Sequence, residues 1–255
     1  MKASAIEYRL RGLILTIIVL LGFWAPWIQA FDLGKRVSLL EWIALELSRT
    51  GLLRFTYATP VVIVAGALIA ALGMVLRVWG AAYMGPGTVS ARTMRASELQ
   101  ADGPYRYVRN PLYLGTWFMI AAIAFLMPPT GALFAVPVVT IFLLRLILAE
   151  ESFLAALLGA PYEHYLRAVP RLFPRLRTSL PRTSSNPRWS IAVLSELNSV
   201  SVFITLAVLS WSYDHELMIK GIVVGFGVSI IARALAVEKP SADIAASDRA
   251  EKMPG

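Results

Sequence analysis

The chain has no cysteine among its 255 residues, which excludes disulfides, thiolate metal sites and a cysteine nucleophile together. Histidine is scarce as well. His164 and His215 stand far apart, without the spacing of a ligand cluster, so no metal site is expected. Charge is thin: Asp, Glu, Lys and Arg make up 16% of the chain, against roughly a quarter in soluble domains, while 57% of residues are hydrophobic. That deficit rules out an ordinary soluble domain and points to an integral membrane protein.

What is present is a series of apolar runs near membrane-spanning length: Gly12 to Ile28, Pro60 to Met84, Leu112 to Met127, Gly131 to Ala149, Ile191 to Ser210 and Leu217 to Val237. The expected fold is all-α, a polytopic integral membrane helical bundle of about six transmembrane helices with short interfacial and cytoplasmic helices. The first run continues into Trp24, Pro26 and Trp27 instead of a small-residue cleavage site, so it reads as a span and not as a cleavable signal. The expected divisions are 1–59 (first span and interfacial helix), 60–174 (membrane core), 175–190 (linker), 191–237 (an appended helix pair) and 238–255 (a polar, disordered tail).

The net charge of +8 does not call for nucleic acid, because no basic motif of a known reader is present. Basic loops in a membrane protein report orientation and contact with anionic lipid. Lys2, Arg9 and Arg11, then Arg92, Arg95, Arg106 and Arg109, then Arg167, Arg171, Arg175, Arg177, Arg182 and Arg188 share one side of a six-span topology. That side is expected to be cytoplasmic, with the inner (plasma) membrane of a bacterium as the location. Lys35, Arg36, Arg49 and Arg54 fall on the other side and run against the rule.

Val37 to Ser48 reads as an amphipathic helix lying on the outer interface, or as a lid over a lipid entrance. Gly66, Ala70, Gly73 and Gly80 allow close helix approach in the second span. Arg77 and Arg145 lie inside apolar sequence, and two readings stay open: they snorkel to the interface, or they line a polar cavity with Glu150 and Glu151. Pro128-Pro129-Thr130-Gly131 is so short a connection that spans three and four must form an antiparallel hairpin. The hairpin carries Tyr113 back beside Glu150. From Glu151 a projecting helix breaks at Gly159-Ala160-Pro161, a second short helix ends at Pro170, and Arg171 to Pro187 has the composition of a linker.

Between Gly103-Pro104 and Asn110-Pro111, Tyr and Arg side chains sit on a constrained connector at the start of an apolar helix. An arginine fork pairs with a carboxylate, and a carboxylate pair holds an ammonium, so Tyr105, Arg106, Arg109, Asn110 and Tyr113 facing Glu150 and Glu151 suit a zwitterion. The methionyl part of S-adenosylmethionine is one. Its sulfonium is already activated, so a protein that transfers the methyl need only align the reactants and exclude water. Bland readings stand beside this one: Tyr107, Tyr162 and Tyr165 as interface anchors, Arg106 on lipid phosphate, and His164 on the surface.

The run from Gly103 to Gly115, the hairpin, Glu150-Glu151, then Tyr162, Tyr165 and Val169-Pro170 resemble the isoprenylcysteine carboxyl methyltransferase and phospholipid methyltransferase superfamily, over about Pro60 to Pro174. The resemblance implies a membrane enzyme that takes S-adenosylmethionine from the cytoplasm and a lipophilic acceptor, a prenylcysteine carboxylate or a lipid head group, from the bilayer. It implies Arg109, Glu150 and Glu151 as catalytic residues. Gly103, Tyr105, Arg106, Arg109, Asn110, Pro111, Tyr113 and both glutamates are the implied cofactor pocket. Asn110 stands where the family usually has His, which removes any role requiring a protonated ring. Two alternatives remain: a membrane reductase using a reduced nicotinamide cofactor, since that general fold is similar, and a non-enzymatic membrane protein. The acceptor's identity and the oligomeric state are not readable from the sequence.

Overall fold

The computed structural model describes residues 2–24, 37–84, 101–175, 177, 180, 186–212 and 214–237. Pro26, Trp27, Lys35, Arg36, Gly85-Pro86-Gly87, Arg92, Arg95, Arg182, half of the expected linker and the expected tail lie outside the described residues. The described chain is all-helical. In order it forms α1 (Ala5–Arg9), α2 (Arg11–Phe23), α3 (Leu39–Arg49), α4 (Phe55–Tyr83), a 3-10 turn (Gly103–Arg106), α5 (Pro111–Ala124), α6 (Pro129–Leu158) and α7 (Ala160–Ala168). Then come α8 (Trp189–Ser195), α9 (Leu197–Leu209), a second 3-10 turn (Ser210–Ser212) and α10 (His215–Val237).

The 29 residues of α4 and the 30 of α6 rise about 1.5 Å each, enough to cross a hydrocarbon layer of about 30 Å. The apolar helices α2 and α5 are shorter, with 13 and 14 residues. α8 and α9 meet at 72° and make a further crossing if counted as one broken span. On α4 the outward row Val61, Val64, Leu68, Leu72 and Val75 recurs at helical spacing and is exposed, as a lipid-facing stripe would be.

Small residues set how closely the helices cross. A Cβ on Gly73 would stand 2.8 Å from Met119 Sδ and 3.0 Å from the Gly115 carbonyl, so α4 and α5 are pressed backbone to backbone. Likewise a Cβ on Gly131 would run into the Gly22 carbonyl, which fixes α2 on α6. The amphipathic segment forms α3, opened by a capping box in which Ser38 Oγ accepts from the Glu41 amide and the Glu41 carboxylate accepts from the Ser38 amide. Its first amides donate to the last carbonyls of the α5 turn, Leu39 to Met127 at 2.7 Å and Leu40 to Phe125 at 2.9 Å. Leu40 and Ala44 then pack on Ala58, Val62 and Ile63 of α4. This places α3 at the far end of the α5–α6 hairpin from Tyr113 and Glu150.

The opposite end collects the basic residues. Arg9 and Arg11 close α1 and open α2, Arg106 and Arg109 lie on the connector before α5, and Arg188 donates its amide to the Ala82 carbonyl at the end of α4.

Arg77 pairs with Glu196, at 2.6 Å through Nε, and Arg145 pairs with Glu7 at 2.8 Å. Each found an acid on a distant element, and among the described residues neither pairs with Glu150 or Glu151. The tyrosines of α7 are not anchors: Tyr162 and Tyr165 are buried with Val169 in a cluster beneath Leu154 and Leu158, because the turn at Gly159 folds α7 back on the end of α6. His164 is exposed, as a surface residue would be.

Candidate active site

Gly103 has φ of +58°, the left-handed region, and a Cβ there would collide with the Tyr83 ring. Only glycine turns the chain this tightly against the end of α4, and Pro104 then starts the 3-10 turn. Asn110 follows, with Pro111 at the first position of α5. Asparagine at this boundary ordinarily caps the helix with its side chain, but Asn110 makes no such bond. Its amide is drawn across to Glu151 Oε1 at 3.1 Å and to the Arg171 carbonyl at 3.2 Å.

Glu151 is the centre of this arrangement. It is 6% exposed, and its Oε1 also faces Arg109 at 3.4 Å while Oε2 accepts from Arg171 Nε at 3.0 Å and Nη2 at 2.8 Å. The Glu151 hydrogen bond holds the Arg171 guanidinium above its ordinary pKa, against the opposing effect of burial. The connector and the strand of chain after α7 are zipped by two backbone bonds, Arg109 amide to Pro170 carbonyl at 2.9 Å and Arg175 amide to Tyr107 carbonyl at 3.0 Å. Arg171, which composition assigned to a linker, is therefore part of the site. The only signal for it was its place directly after Val169-Pro170.

Glu150, one residue earlier on α6, points to a different set of groups. It accepts from the Tyr113 hydroxyl at 2.7 Å. Tyr8 of α1 stands beside them: burial raises its phenol pKa, the Glu150 charge raises it further, and nearby Arg11 and a hydrogen bond with Tyr113 oppose both. Arg11 also lies over the Tyr8 ring, 4.5 Å from its centroid. Consecutive residues on a helix point about 100° apart, which is why two adjacent acids serve two separate groups. Tyr8 and Arg11 were not foreseen, because nothing local in the sequence ties α1 to α6.

Tyr105 is buried, and its carbonyl accepts from the Tyr165 hydroxyl at 2.8 Å. Arg106 donates to the Leu180 carbonyl at 2.5 Å. Among the described residues five buried side-chain polar atoms lack a hydrogen-bond partner, and three of them, Tyr105 Oη, Arg106 Nε and Arg109 Nε, fall within five consecutive connector residues. An orphaned buried donor is costly, so such a concentration is a place where a ligand could complete the bonding. The donors present suit an anionic or acceptor-rich group. Among the described residues no cluster of His, Cys, Asp and Glu could hold a metal.

Fold and site define a polytopic helical membrane protein with a polar centre built at one end of a helical hairpin. The family profile "Phospholipid methyltransferase" matches residues 61–160, which include the connector, α5 and both glutamates. The chain is 30% identical over 164 residues to the cobalt-zinc-cadmium resistance protein CzcN of Cupriavidus metallidurans, covering 62% of this chain and 70% of that one. It is 44% identical over 70 residues to the methanethiol S-methyltransferase of Crocosphaera subtropica, 28% of this chain but only 27% of that relative's length. No solved structure matches. The protein belongs to the isoprenylcysteine carboxyl methyltransferase and phospholipid methyltransferase superfamily of membrane methyltransferases.

Proposed function

We propose that the protein transfers a methyl group from S-adenosylmethionine to a lipophilic acceptor reached from the bilayer, at the basic, cytoplasm-facing end of the hairpin. The observation that carries this reading is the cluster of orphaned donors at 105–109 directly beside two acids engaged by different partners. Bound there, S-adenosylmethionine would supply a methyl whose bond to sulfur breaks as the acceptor's bond to carbon forms, the electron pair staying on sulfur as a neutral thioether. Arg109 takes a carboxylate, of the donor or of the acceptor, through the guanidinium that Glu151 keeps oriented. Glu150 holds the ammonium or polarises the acceptor, with Tyr113 fixing the rotamer of its carboxylate. Tyr105, buried against α7, closes the wall and excludes water. Gly103, Arg106, Asn110 and Pro111 shape the connector. Asn110 acts as a hydrogen-bond donor and needs no protonated state for that task.

A carboxylate acceptor needs no base at neutral pH, whereas an amine or a thiol must shed a proton, for which Glu150 or Glu151 is the candidate base. The name of the methanethiol S-methyltransferase relative adds a small thiol to the prenylcysteine carboxylate and lipid head group as acceptors worth assaying.

Calorimetry of the full chain in micelles, titrated with S-adenosylhomocysteine and separately with a reduced nicotinamide dinucleotide, tests the reading. S-adenosylhomocysteine should bind, and Arg109→Ala and Glu150→Ala should each weaken it at least about tenfold, roughly 1.4 kcal/mol. Binding of the dinucleotide alone would replace this function with a reductase, and binding of neither would return the protein to a non-enzymatic role.

A further inference from the structure

The α8–α9–α10 segment lies beyond the part of the chain that matches the methyltransferase family, yet it reaches the back of the site. Glu196, the residue between α8 and α9 where the path bends by 72°, is 1% exposed. It accepts a fork from Arg77, Nε to Oε2 at 2.6 Å and Nη2 to Oε1 at 2.8 Å, and a further bond from Ser199 Oγ at 3.0 Å. An acid this deep in apolar sequence is sustained only by a full set of partners, and the bend is what presents it to α4.

The third nitrogen of Arg77 looks the other way. Its Nη1 donates to Thr116 Oγ1 at 2.5 Å and reaches the Leu112 carbonyl at 3.4 Å, while Thr116 Oγ1 donates to that same carbonyl at 2.9 Å. Leu112 lies in the first turn of α5, between Asn110, which donates to Glu151, and Tyr113, which donates to Glu150. The stem of Arg77 crosses α5 at Gly115, where a Cβ would stand 2.6 Å from Arg77 Cγ. Leu112 also packs against Ala192 of α8 together with Ala81 and Ala82. One guanidinium thus ties the helix bend on one side to the first turn of the site helix on the other.

We propose that Glu196 and Arg77 are positioning residues for the site: the appended helices set, through this ion pair, where the first turn of α5 stands and hence how Asn110 and Tyr113 meet the two glutamates. The consequence for ligand binding rests on the methyl-donor reading above, whereas the consequence for the helix turn does not.

The test uses the full chain in nanodiscs with two near-isosteric variants, Glu196→Gln and Thr116→Val, measured by hydrogen exchange of the 110–116 amides and by calorimetry with S-adenosylhomocysteine. Both variants should exchange faster over 110–116 than the wild type, at least about threefold, with the α3 amides unchanged. S-adenosylhomocysteine should bind about tenfold more weakly to Glu196→Gln and a few-fold more weakly to Thr116→Val. Unchanged exchange over 110–116 would overturn the proposal, as would faster exchange with unaltered binding. If the wild type binds no S-adenosylhomocysteine, the donor reading fails by itself, and the exchange comparison still decides whether the ion pair holds the turn.

Discussion

Replacing Glu151 by glutamine should destabilise the protein far more than the same change at Glu150, although the two are adjacent on one helix. Both oxygens of Glu151 accept from nitrogen donors, Oε1 from Asn110 with Arg109 close by and Oε2 from Arg171. Whichever way the substituted amide turns, its NH2 meets a donor. The Arg109 side chain is 11% exposed and would be left with a neutral partner in a poorly solvated place. Removing one partner of a buried pair costs about 3–5 kcal/mol, and glutamine, which keeps one acceptor, should cost about 2–4 kcal/mol. The Arg171 side chain is 41% exposed, so its contact adds at most about 1 kcal/mol to that range. Among the described residues the hydrogen bond that Glu150 accepts comes from the Tyr113 hydroxyl, and a hydroxyl both donates and accepts, so Glu150→Gln should cost about 1 kcal/mol. For a chain of this size 1 kcal/mol shifts the melting temperature by about 2–4 °C. Thermal unfolding in micelles should therefore show Glu151→Gln lower by about 4–20 °C and Glu150→Gln by about 2–4 °C. Equal shifts, or a larger one for Glu150→Gln, would refute the assignment of Glu151 as the acid that joins the connector to the hairpin.

Two further outcomes follow from the geometry. Tyr165→Phe removes the hydroxyl that donates to the buried Tyr105 carbonyl and should cost about 1–3 kcal/mol, read as a lower denaturation midpoint, with the ring packing against Tyr162 preserved. The tether of α1 to α6 should respond to acid. The Glu7 carboxyl is held below its ordinary pKa first by the Ser4 amide and then by Arg145, so its stabilising contribution is present above the usual carboxylate range and disappears as pH falls through the lowered value. Glu7→Gln should flatten that acid limb of the stability profile, and an unchanged limb would assign the acid sensitivity elsewhere.

Much of the hairpin is legible in the chain. Gly103-Pro104, Asn110-Pro111 and Pro128-Pro129 are punctuation whose effect is local, and a four-residue connection between apolar helices admits little beyond an antiparallel return. From those signals alone Tyr113 had to come near Glu150, and the structure puts them 2.7 Å apart. What the residues could not show is which acid serves which neighbour. Two adjacent glutamates look equivalent in sequence, and their separation into one contact with Asn110, Arg109 and Arg171 and another with Tyr113 follows from the rotation of α6 about its own axis, which is set by packing against α2 and α5.

The chain by itself determined the helical membrane class, the positions of its turns and the residues gathered at one hairpin end, because apolar length, proline, glycine and helix period act over a few residues. Tertiary structure alone decided the partners of the isolated charges. Arg77 and Glu196 are 119 residues apart, and Arg145 and Glu7 are 138 apart. A buried charge must find its opposite wherever packing delivers it, and that distance through space has no periodic trace along the chain.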